Sequence, residues 1–213
     1  MIKLLISDLD DTLYDWTGFF VPAFYAMADE IARMTGIDEK KLLNEYMAAH
    51  QRLGSVEYPY ATLELPSIKA YYNNAPAEEL KAALRPAFNV FNSVRESHLH
   101  LLPGVEEMLR ALTEMGVTLI AYTESSKENG FYRLMKLGIE PYFKHVYTFE
   151  SQFKSAYAFG EQVRTVQTKK PDVAVIERIC TGEGYDKSEV MYLGDNLTKD
   201  MYMAKMAGVT AVW

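Results

Sequence analysis

Three carboxylates and a threonine follow a short apolar run near the start of the chain. Residues 4–6 are apolar, and Asp8, Asp10, Asp11 and Thr12 come within the next six positions. A strand buried in a parallel sheet has such a continuous apolar run, and ligands of these folds bind beyond the carboxyl ends of the strands. The acids therefore indicate either a solvated turn, where Asp is common, or a site for metal-assisted phosphoryl transfer.

Further polar patches lie at or near the end of a predicted strand or in the turn after it. They are Thr123, Lys170 and the pair Asp195 and Asp200. Strand ends of an open parallel sheet lie along one edge, so residues that are far apart in sequence can converge there. Each patch alone is weak evidence, because an isolated lysine or threonine is usually a surface residue and Asp200 could be a charge early in a helix. The patches together favour the functional interpretation.

These residue types suit the transfer of a phosphoryl group. Mg²⁺ prefers hard oxygen ligands and commonly binds a few carboxylates together with substrate phosphate and water. Asp8 and Asp195 could supply such carboxylates. A carboxylate can also attack phosphorus to form an aspartyl-phosphate. A second carboxylic acid could protonate the leaving oxygen and then deprotonate water, while a lysine and a hydroxyl hold the non-bridging oxygens.

The second half of the chain alternates between strand and helix patterns. Apolar runs predict strands at residues 117–122, 146–149, 189–193 and 209–213. The segments between them predict helices at residues 105–112, 130–137 and 173–179, and a further helix that ends at Gly208. This alternation predicts βαβ units and a parallel sheet with right-handed crossovers.

Two connections in this half are less regular. Residues 123–126 are polar and are expected to form the turn that opens the helix at residues 130–137. Residues 150–168 are ambiguous. A short helix at residues 156–163 is one interpretation of this stretch, and a small accessory loop or surface elaboration is another.

Residues 16–99 have helix patterns and no convincing strand. A helix is expected at residues 21–34, where apolar residues recur at helical spacing. Asp38 should cap a second helix, and Pro86 should kink or divide a later one. The segment is predicted to be a helical bundle inserted after the first strand, and its many aromatic residues are attributed to core packing.

Composition and charge narrow the classes of partner. Of the 213 residues, 49% are hydrophobic and 24% are charged, which is typical of a globular protein. A formal net charge of −7 argues against nucleic acid polymers, which need a basic patch, and against anionic membrane surfaces. Cys180 is the single cysteine, so a reducing, cytoplasmic location is expected. The last apolar run ends at Trp213, and the natural chain could continue beyond it.

In their order along the chain, the patches resemble the four motifs of the haloacid dehalogenase-like superfamily of phosphatases. The matches are D-x-D-x-T at residues 8–12, the hydroxyl of Thr123, the lysine Lys170, and G-D-x-x-x-x-D from Gly194 through Asp195 to Asp200. Lys170 is preferred to its neighbour Lys169 because it directly precedes Pro171, as in the family.

The resemblance covers the whole chain and implies its domain organisation. The fold class would be α/β, with a Rossmann-like parallel-sheet core formed by residues 1–15 and 100–213. Residues 16–99 would be an inserted all-helical cap domain of the C1 type, which closes over the active site and supplies specificity.

The resemblance also implies roles for the residues of the first motif. Asp8 would be the nucleophile and a metal ligand. Asp10 would be the acid/base, and its backbone carbonyl would also bind the metal. Thr12 would help to orient Asp10.

The other motifs would hold the phosphate and complete the metal site. Thr123 and Lys170 would bind the phosphate, and Lys170 would also steady Asp8. Asp195 would be the remaining carboxylate ligand of Mg²⁺. Asp200 would either bind the metal through water or pair with Lys170.

Asp10 distinguishes among the activities of the superfamily. Relatives that act as dehalogenases or phosphonatases generally lack an acid/base aspartate there, because their leaving groups need no proton. The resemblance therefore implies a Mg²⁺-dependent phosphatase that hydrolyses a small phosphorylated metabolite through an aspartyl-phosphate. Phosphoglycolate-like acids, sugar phosphates and nucleoside monophosphates all fit this class of substrate.

Other members of the superfamily remain as alternatives. The chain could be a phosphomutase, a dehalogenase, or a non-catalytic binding or regulatory relative. Glu124 favours the last of these, since relatives often have asparagine at this position. An extra negative charge beside a phosphate pocket weakens anion binding unless it points away or meets a cation.

Overall fold

A parallel sheet forms the centre of the computed structural model, which describes residues 1–58, 60–150 and 159–213. Within those residues the sheet has six strands in the order β4-β3-β2-β1-β5-β6. The strands are β1 (Leu4–Ser7), β2 (Thr118–Ser126), β3 (His145–Phe149), β4 (Val163–Val166), β5 (Val190–Leu193) and β6 (Thr210–Val212). Every pair of neighbouring strands is parallel, so the predicted α/β fold class is confirmed.

Strand β1 lies inside the sheet because its side chains are apolar on both faces. Leu4, Leu5 and Ile6 are at most 3% exposed, and burying one such side chain stabilises the fold by about 1.5–3 kcal/mol. The chain fills one half of the sheet from β1 out to β4 and then returns to β5, beside β1. This reversal places the carboxyl ends of β1 and β5 at a topological switch point, where ligands of such folds bind.

The helices divide between two compact units of the chain. They are α1 (Trp16–Thr35), α2 (Glu39–Leu53), α3 (Pro66–Tyr71), α4 (Ala77–Ala83), α5 (Arg85–His98), α6 (Val105–Glu114), α7 (Lys127–Lys136), α8 (Val173–Glu183) and α9 (Tyr202–Ala207). One unit, here called the core unit, comprises Met1–Trp16 and Leu99–Trp213, and the other, the helical unit, comprises Thr17–His98. No helix among the described residues is both long and apolar enough to span a membrane.

The helical unit has its own hydrophobic cluster, which includes Ile31, Leu42, Tyr46 and Leu84. Asp38 caps α2 by accepting a hydrogen bond from the backbone N–H of Lys41 at 3.0 Å, as its place before an apolar stripe predicts. Helix α4 ends before Pro86, and α5 begins at Arg85, so that Pro86 lies in the first turn of α5, where its missing N–H costs no hydrogen bond within the helix. No strand occurs among the described residues of this unit.

The core unit differs from the sequence-based expectation at two connections. Strand β2 does not stop before Thr123 but continues to Ser126, with an irregular register between Tyr122 and Ser126. The Ser126 side chain then accepts from the N–H of Asn129 and caps α7, which therefore begins at Lys127 and not at Gly130. The polar residues 123–126 thus belong to a strand, whose pairing with β3 resumes at Ser126, opposite Phe149.

The helix predicted at residues 156–163 is wrong at its described end. Residues 151–158 lie outside the described residues, and Val163 begins strand β4, which pairs with β3 at the edge of the sheet. The β-branched residues Val163, Thr165 and Val166 fit a pleated surface, and pairing with a neighbouring strand decided their conformation.

Candidate active site

Asp8 is the first residue after the carboxyl end of β1. Its backbone N–H donates to the carbonyl oxygen of Leu193 at the end of β5, at 2.8 Å. The residue is 6% exposed. One of its oxygens, Oδ1, accepts from Lys170 Nζ at 2.5 Å, and the other, Oδ2, accepts from Thr12 Oγ1 at 3.3 Å. A cation and a hydroxyl therefore fix this buried acid.

Lys170 is the cation at the centre of the site. Besides Asp8, its Nζ donates to Asp200 Oδ1 at 2.9 Å, and it lies 4.9 Å and 5.6 Å from the ring centroids of Tyr122 and Tyr192. Its neighbour Lys169 is exposed and lies over the ring of Phe149. The structure therefore brings Lys170, and not Lys169, to the acids.

Asp200 is held in the turn that follows β5. It is 1% exposed, and its Oδ1 accepts from Tyr192 Oη at 2.9 Å as well as from Lys170. Its Oδ2 accepts from the backbone N–H of Asn196 at 3.2 Å. Of the two roles that the sequence left open for Asp200, the structure shows the pairing with Lys170.

Asp195 lies at the exposed edge of the same cluster. Its backbone carbonyl accepts from the indole Nε1 of Trp213 at 2.7 Å. Carboxylate oxygens of Asp8, Asp195 and Asp200 lie within 4.8 Å of one another, close enough to hold one metal ion. Three carboxylates face one lysine there, which is the excess of hard negative oxygen that a divalent cation such as Mg²⁺ prefers. The three aspartates therefore suit a divalent metal ion such as Mg²⁺.

The pKa values reflect this crowding of like charges. Burial raises the pKa of Asp8 to about 7 against the opposing effect of Lys170, and the charges of Asp200 and Asp10 add to the rise. Burial and the charge of Asp200 also raise the pKa of Asp195. Burial opposes the charge on Lys170, but the carboxylates outweigh it and hold its pKa well above the usual value. A cation at these carboxylates would favour their ionised forms.

Asp10 lies in a different environment, although it is only two residues from Asp8. Its Oδ1 accepts from Tyr14 Oη and from Arg133 Nη1, each at 2.8 Å. Its Oδ2 accepts from Thr123 Oγ1 at 3.1 Å and from Ser125 Oγ at 2.9 Å. In the described structure the hydroxyl of Thr123, for which a phosphate contact was predicted, is thus directed at Asp10.

This network corrects one expectation and adds residues that the sequence did not indicate. Thr12 was expected to orient Asp10, but its hydroxyl donates to Asp8, since the chain turns between the two acids. Ser125 could have been found, because residues two apart on a strand share a face and Thr123 was already a candidate. No such signal marked Tyr14 or Arg133. Arg133 in particular reaches the site only through the packing of α7.

Glu124 is paired with a cation. Its carboxylate forms an ion pair with the ammonium of Lys199, which lies in the turn after β5. Both side chains are partly exposed, so the pair adds little stability. It nevertheless neutralises the negative charge beside Thr123, which is the condition under which a phosphate pocket tolerates that charge.

The helical unit contains an open cleft of about 570 Å³. It is lined mainly by apolar and aromatic residues of α1 and α2, among them Phe24, Tyr46 and Met47, together with His50. None of the sequence-predicted site residues lines it.

Comparison with known proteins shows the family to which this chain belongs. A family model described as haloacid dehalogenase-like hydrolase matches residues 2–208. The chain is similar to a glyceraldehyde 3-phosphate phosphatase from Pyrococcus abyssi, with 27% identity over 100% of this chain and 81% of the relative. It is also similar to a phosphoserine phosphatase from Thermus thermophilus, with 24% identity over 100% of this chain and 88% of the relative.

Solved structures show the same fold. A 2-haloacid dehalogenase from Pseudomonas syringae matches with a TM-score of 0.67 and 24% identity, covering 100% of this chain and 86% of that chain. At this identity the likeness concerns the fold and not the reaction.

Proposed function

Because the chain belongs to the haloacid dehalogenase-like hydrolase family, we propose that it is a Mg²⁺-dependent phosphatase. It hydrolyses a small phosphomonoester metabolite through an aspartyl-phosphate on Asp8. The observation that carries this proposal is that two carboxylates close together in the sequence have different surroundings. Asp8 lies in the lysine and carboxylate cluster, while Asp10 lies among hydroxyl and guanidinium donors. Carboxylates with such unequal surroundings can take unequal roles in one reaction.

The first half of the reaction transfers the phosphoryl group to the protein. An oxygen of Asp8 attacks phosphorus, and the bond from phosphorus to the ester oxygen breaks. Asp10, in its protonated form, gives its proton to that oxygen, so that the product leaves as an alcohol. Lys170 is placed beside Asp8 to offset the negative charge of the transferring group.

The second half returns the site to its starting state. Asp10, now a carboxylate, takes a proton from a water molecule as the water oxygen attacks phosphorus. The bond between phosphorus and Asp8 then breaks, and inorganic phosphate is released. Thr123 is proposed to bind phosphate oxygens through its hydroxyl and the adjoining backbone, once substrate competes with Asp10 for that hydroxyl.

Asp8, Asp195 and the backbone carbonyl of Asp10 would hold the Mg²⁺ ion. When bound, the ion supplies positive charge that neutralises phosphate oxygens. Asp200 positions Lys170 through their 2.9 Å ion pair and completes the group of carboxylates.

The names of the relatives support a small phosphorylated metabolite as the substrate. Glyceraldehyde 3-phosphate and phosphoserine, the compounds in the names of two relatives, are both three-carbon phosphomonoesters. We take compounds of this size as the first substrates to test. The helical unit is proposed to act as the cap that selects among them, and the cytoplasmic location stays a prediction.

The test measures phosphate release from 4-nitrophenyl phosphate and from a panel of metabolites, with Mg²⁺ and with EDTA. Activity is expected only with Mg²⁺, and Asp8→Asn should remove it, because the amide cannot act as the nucleophile. Asp11→Asn is the matched control in the same loop. Residue 11 has a φ of 56°, and asparagine adopts that left-handed conformation readily.

Three results would contradict the proposal. They are an Asp8→Asn variant as active as the wild type, activity that persists in EDTA, and wild-type protein inactive on the whole panel. The last would favour the non-catalytic alternative. Glu124 was the feature that favoured this alternative. It is now weaker evidence for it, because Lys199 neutralises the charge of Glu124.

A further inference from the structure

A buried arginine lies behind the second aspartate of the site. Arg133 is in the last turn of α7, and its side chain is 4% exposed. Its Nη1 lies 2.8 Å from Asp10 Oδ1 and 3.0 Å from Ser125 Oγ. Removing a guanidinium from water is costly unless a charged partner compensates, and the 2.8 Å pair with Asp10 offsets part of that cost. The proposed phosphatase mechanism gives Arg133 no part.

The contacts of Asp10 leave its carboxylate little freedom. A carboxylate has about four lone-pair positions on its two oxygens, and the described donors to Asp10 number four. Substrate that takes over the hydroxyl of Thr123 would free one position on Oδ2, which can then carry the proton that Asp10 gives to the leaving oxygen. Among these donors Arg133 carries a permanent charge, whereas the others are hydroxyl groups. A charge-assisted hydrogen bond is roughly twice as strong as a neutral one, so Arg133 contributes most to the position of Asp10.

The packing of α7 explains how Arg133 reaches this position. Gly130, one turn earlier, faces strand β2 so closely that an added Cβ would lie 3.2 Å from Thr123 Cγ2. The missing side chain lets α7 approach the strand that carries Thr123 and Ser125. The helix therefore delivers the guanidinium to Asp10 from the side on which Ser125 lies.

We propose that Arg133 is a positioning residue that sets where the acid/base carboxylate of Asp10 lies relative to the leaving oxygen of the substrate. This inference rests on the proposed phosphatase function. In this role Arg133 acts on Asp10 and not on the substrate, through the 2.8 Å ion pair and through Ser125, to which it also donates.

A positioning role through Asp10 has a consequence that a merely structural role lacks. The proton from Asp10 matters most when the leaving oxygen is strongly basic, as in an alkyl phosphate. It matters little when the leaving group is 4-nitrophenolate, which is stable as an anion. Loss of Arg133 should therefore slow the hydrolysis of alkyl esters much more than that of the aryl ester.

The test compares kcat/KM for an alkyl phosphate that the wild type hydrolyses with kcat/KM for 4-nitrophenyl phosphate. Arg133→Met should lower the alkyl value by about 10- to 100-fold more than the aryl value, as expected when general acid catalysis is impaired. Arg133→Lys, which keeps the charge, should recover part of this difference. Lys136→Met removes an exposed cation from the last turn of the same helix and should leave both values unchanged.

A second pair of variants covers the case in which Arg133→Met does not fold. Tyr14→Phe and Ser125→Ala each remove one hydroxyl that donates to Asp10, and each should show the same selective loss on a smaller scale. An equal loss on both substrates, or no loss on either, would overturn the inference while the phosphatase proposal stands. Wild-type protein inactive on every phosphate ester would overturn both.

Discussion

At the scale of single residues, the site separates two carboxylates that are neighbours in the sequence. Asp8 is paired with a buried lysine and lies close to Asp195 and Asp200, whereas Asp10 accepts hydrogen bonds from hydroxyl groups and a guanidinium. Asp8 therefore lies among other charged groups, whereas the negative charge of Asp10 is balanced by four hydrogen-bond donors. This difference supports a nucleophile and an acid/base within one short loop.

Lys170 is the residue on which the charge balance of the cluster depends. Replacing it by methionine would leave Asp8 and Asp200 buried without their cation. Such a loss typically lowers the free energy of unfolding by about 3–5 kcal/mol. We therefore expect Lys170→Met to unfold at much lower urea concentration than the wild type and to have no phosphatase activity.

Lys169→Met is the matched control for this prediction. Lys169 is exposed and lies over the ring of Phe149, so its loss should change the free energy of unfolding by no more than about 1 kcal/mol. Urea unfolding followed by circular dichroism measures both variants. A Lys170→Met protein with wild-type stability and activity would show that the lysine does not hold the acids.

At the scale of elements, the turn after β5 carries Asp195 and Asp200, and Gly194 leaves the space that Asp200 occupies. An added Cβ at Gly194 would lie 2.6 Å from both Cβ and Cγ of Asp200, closer than real atoms approach. The turn continues as one π-helical segment, Leu197–Met201, before α9 begins. The side chain of Asn196 caps this segment by accepting from two backbone N–H groups, those of Thr198 and Lys199.

Gly194→Ala should therefore damage the site through Asp200. The new methyl group must push the carboxylate of Asp200 away from Lys170, and such overpacking usually costs about 1–3 kcal/mol. We expect lower thermal stability and a large loss of phosphate release. Scanning calorimetry and the phosphatase assay check these effects.

Gly182→Ala provides the comparison in a neighbouring element. Gly182 lies within α8, and an added Cβ there meets nothing within 4 Å. Alanine in a helix interior is more favourable than glycine by up to about 1 kcal/mol, so this variant should be slightly more stable and fully active. Equal behaviour of the two alanine variants would refute the steric argument for Gly194.

At the scale of the whole molecule, the chain folds into two units that each have a hydrophobic cluster. The cluster of the core unit includes Ile6, Ile120 and Tyr192, and the helical unit has its own. The core unit also pairs the two segments that lead into and out of the helical unit. Tyr14 and Leu101 form an antiparallel bridge, and the N–H of Leu102 donates to the carbonyl of Leu13 at 2.9 Å.

This pairing makes removal of the helical unit a practical test. A variant that joins Trp16 to Leu99 through a short Gly-Ser linker should fold, because its cluster and all seven predicted site residues belong to the core unit. It should hydrolyse 4-nitrophenyl phosphate but discriminate less among metabolites, since lids supply specificity. Calorimetry and the metabolite panel measure these properties.

The same variant carrying Asp8→Asn is the control for residual activity. A shortened protein that unfolds without a cooperative transition would show that the units are not independent. Unchanged discrimination among metabolites would show that the helical unit is not the cap that selects the substrate.

The sequence by itself determined the α/β sheet and the position of the first acids. A buried parallel strand needs a continuous apolar run, and Leu4, Leu5 and Ile6 supply one directly before Asp8. The order of the later patches made a convergent site predictable, because strand ends of a parallel sheet share one edge. The strand β4 was not predicted, because a segment of only four residues carries a weak pattern even when it is rich in β-branched residues, and pairing with β3 decided its conformation.

Only the tertiary structure decided which side chains meet at each acid. It placed Lys170 between Asp8 and Asp200, gave Glu124 a cation, and directed Arg133 to Asp10. These contacts join residues from 30 to 162 positions apart. No local pattern encodes them, because they depend on how closely helices and strands pack, as Gly130 and Gly194 allow here. The pattern of apolar and polar residues determined which edge of the sheet carries the site, and tertiary packing determined which charged side chains pair there.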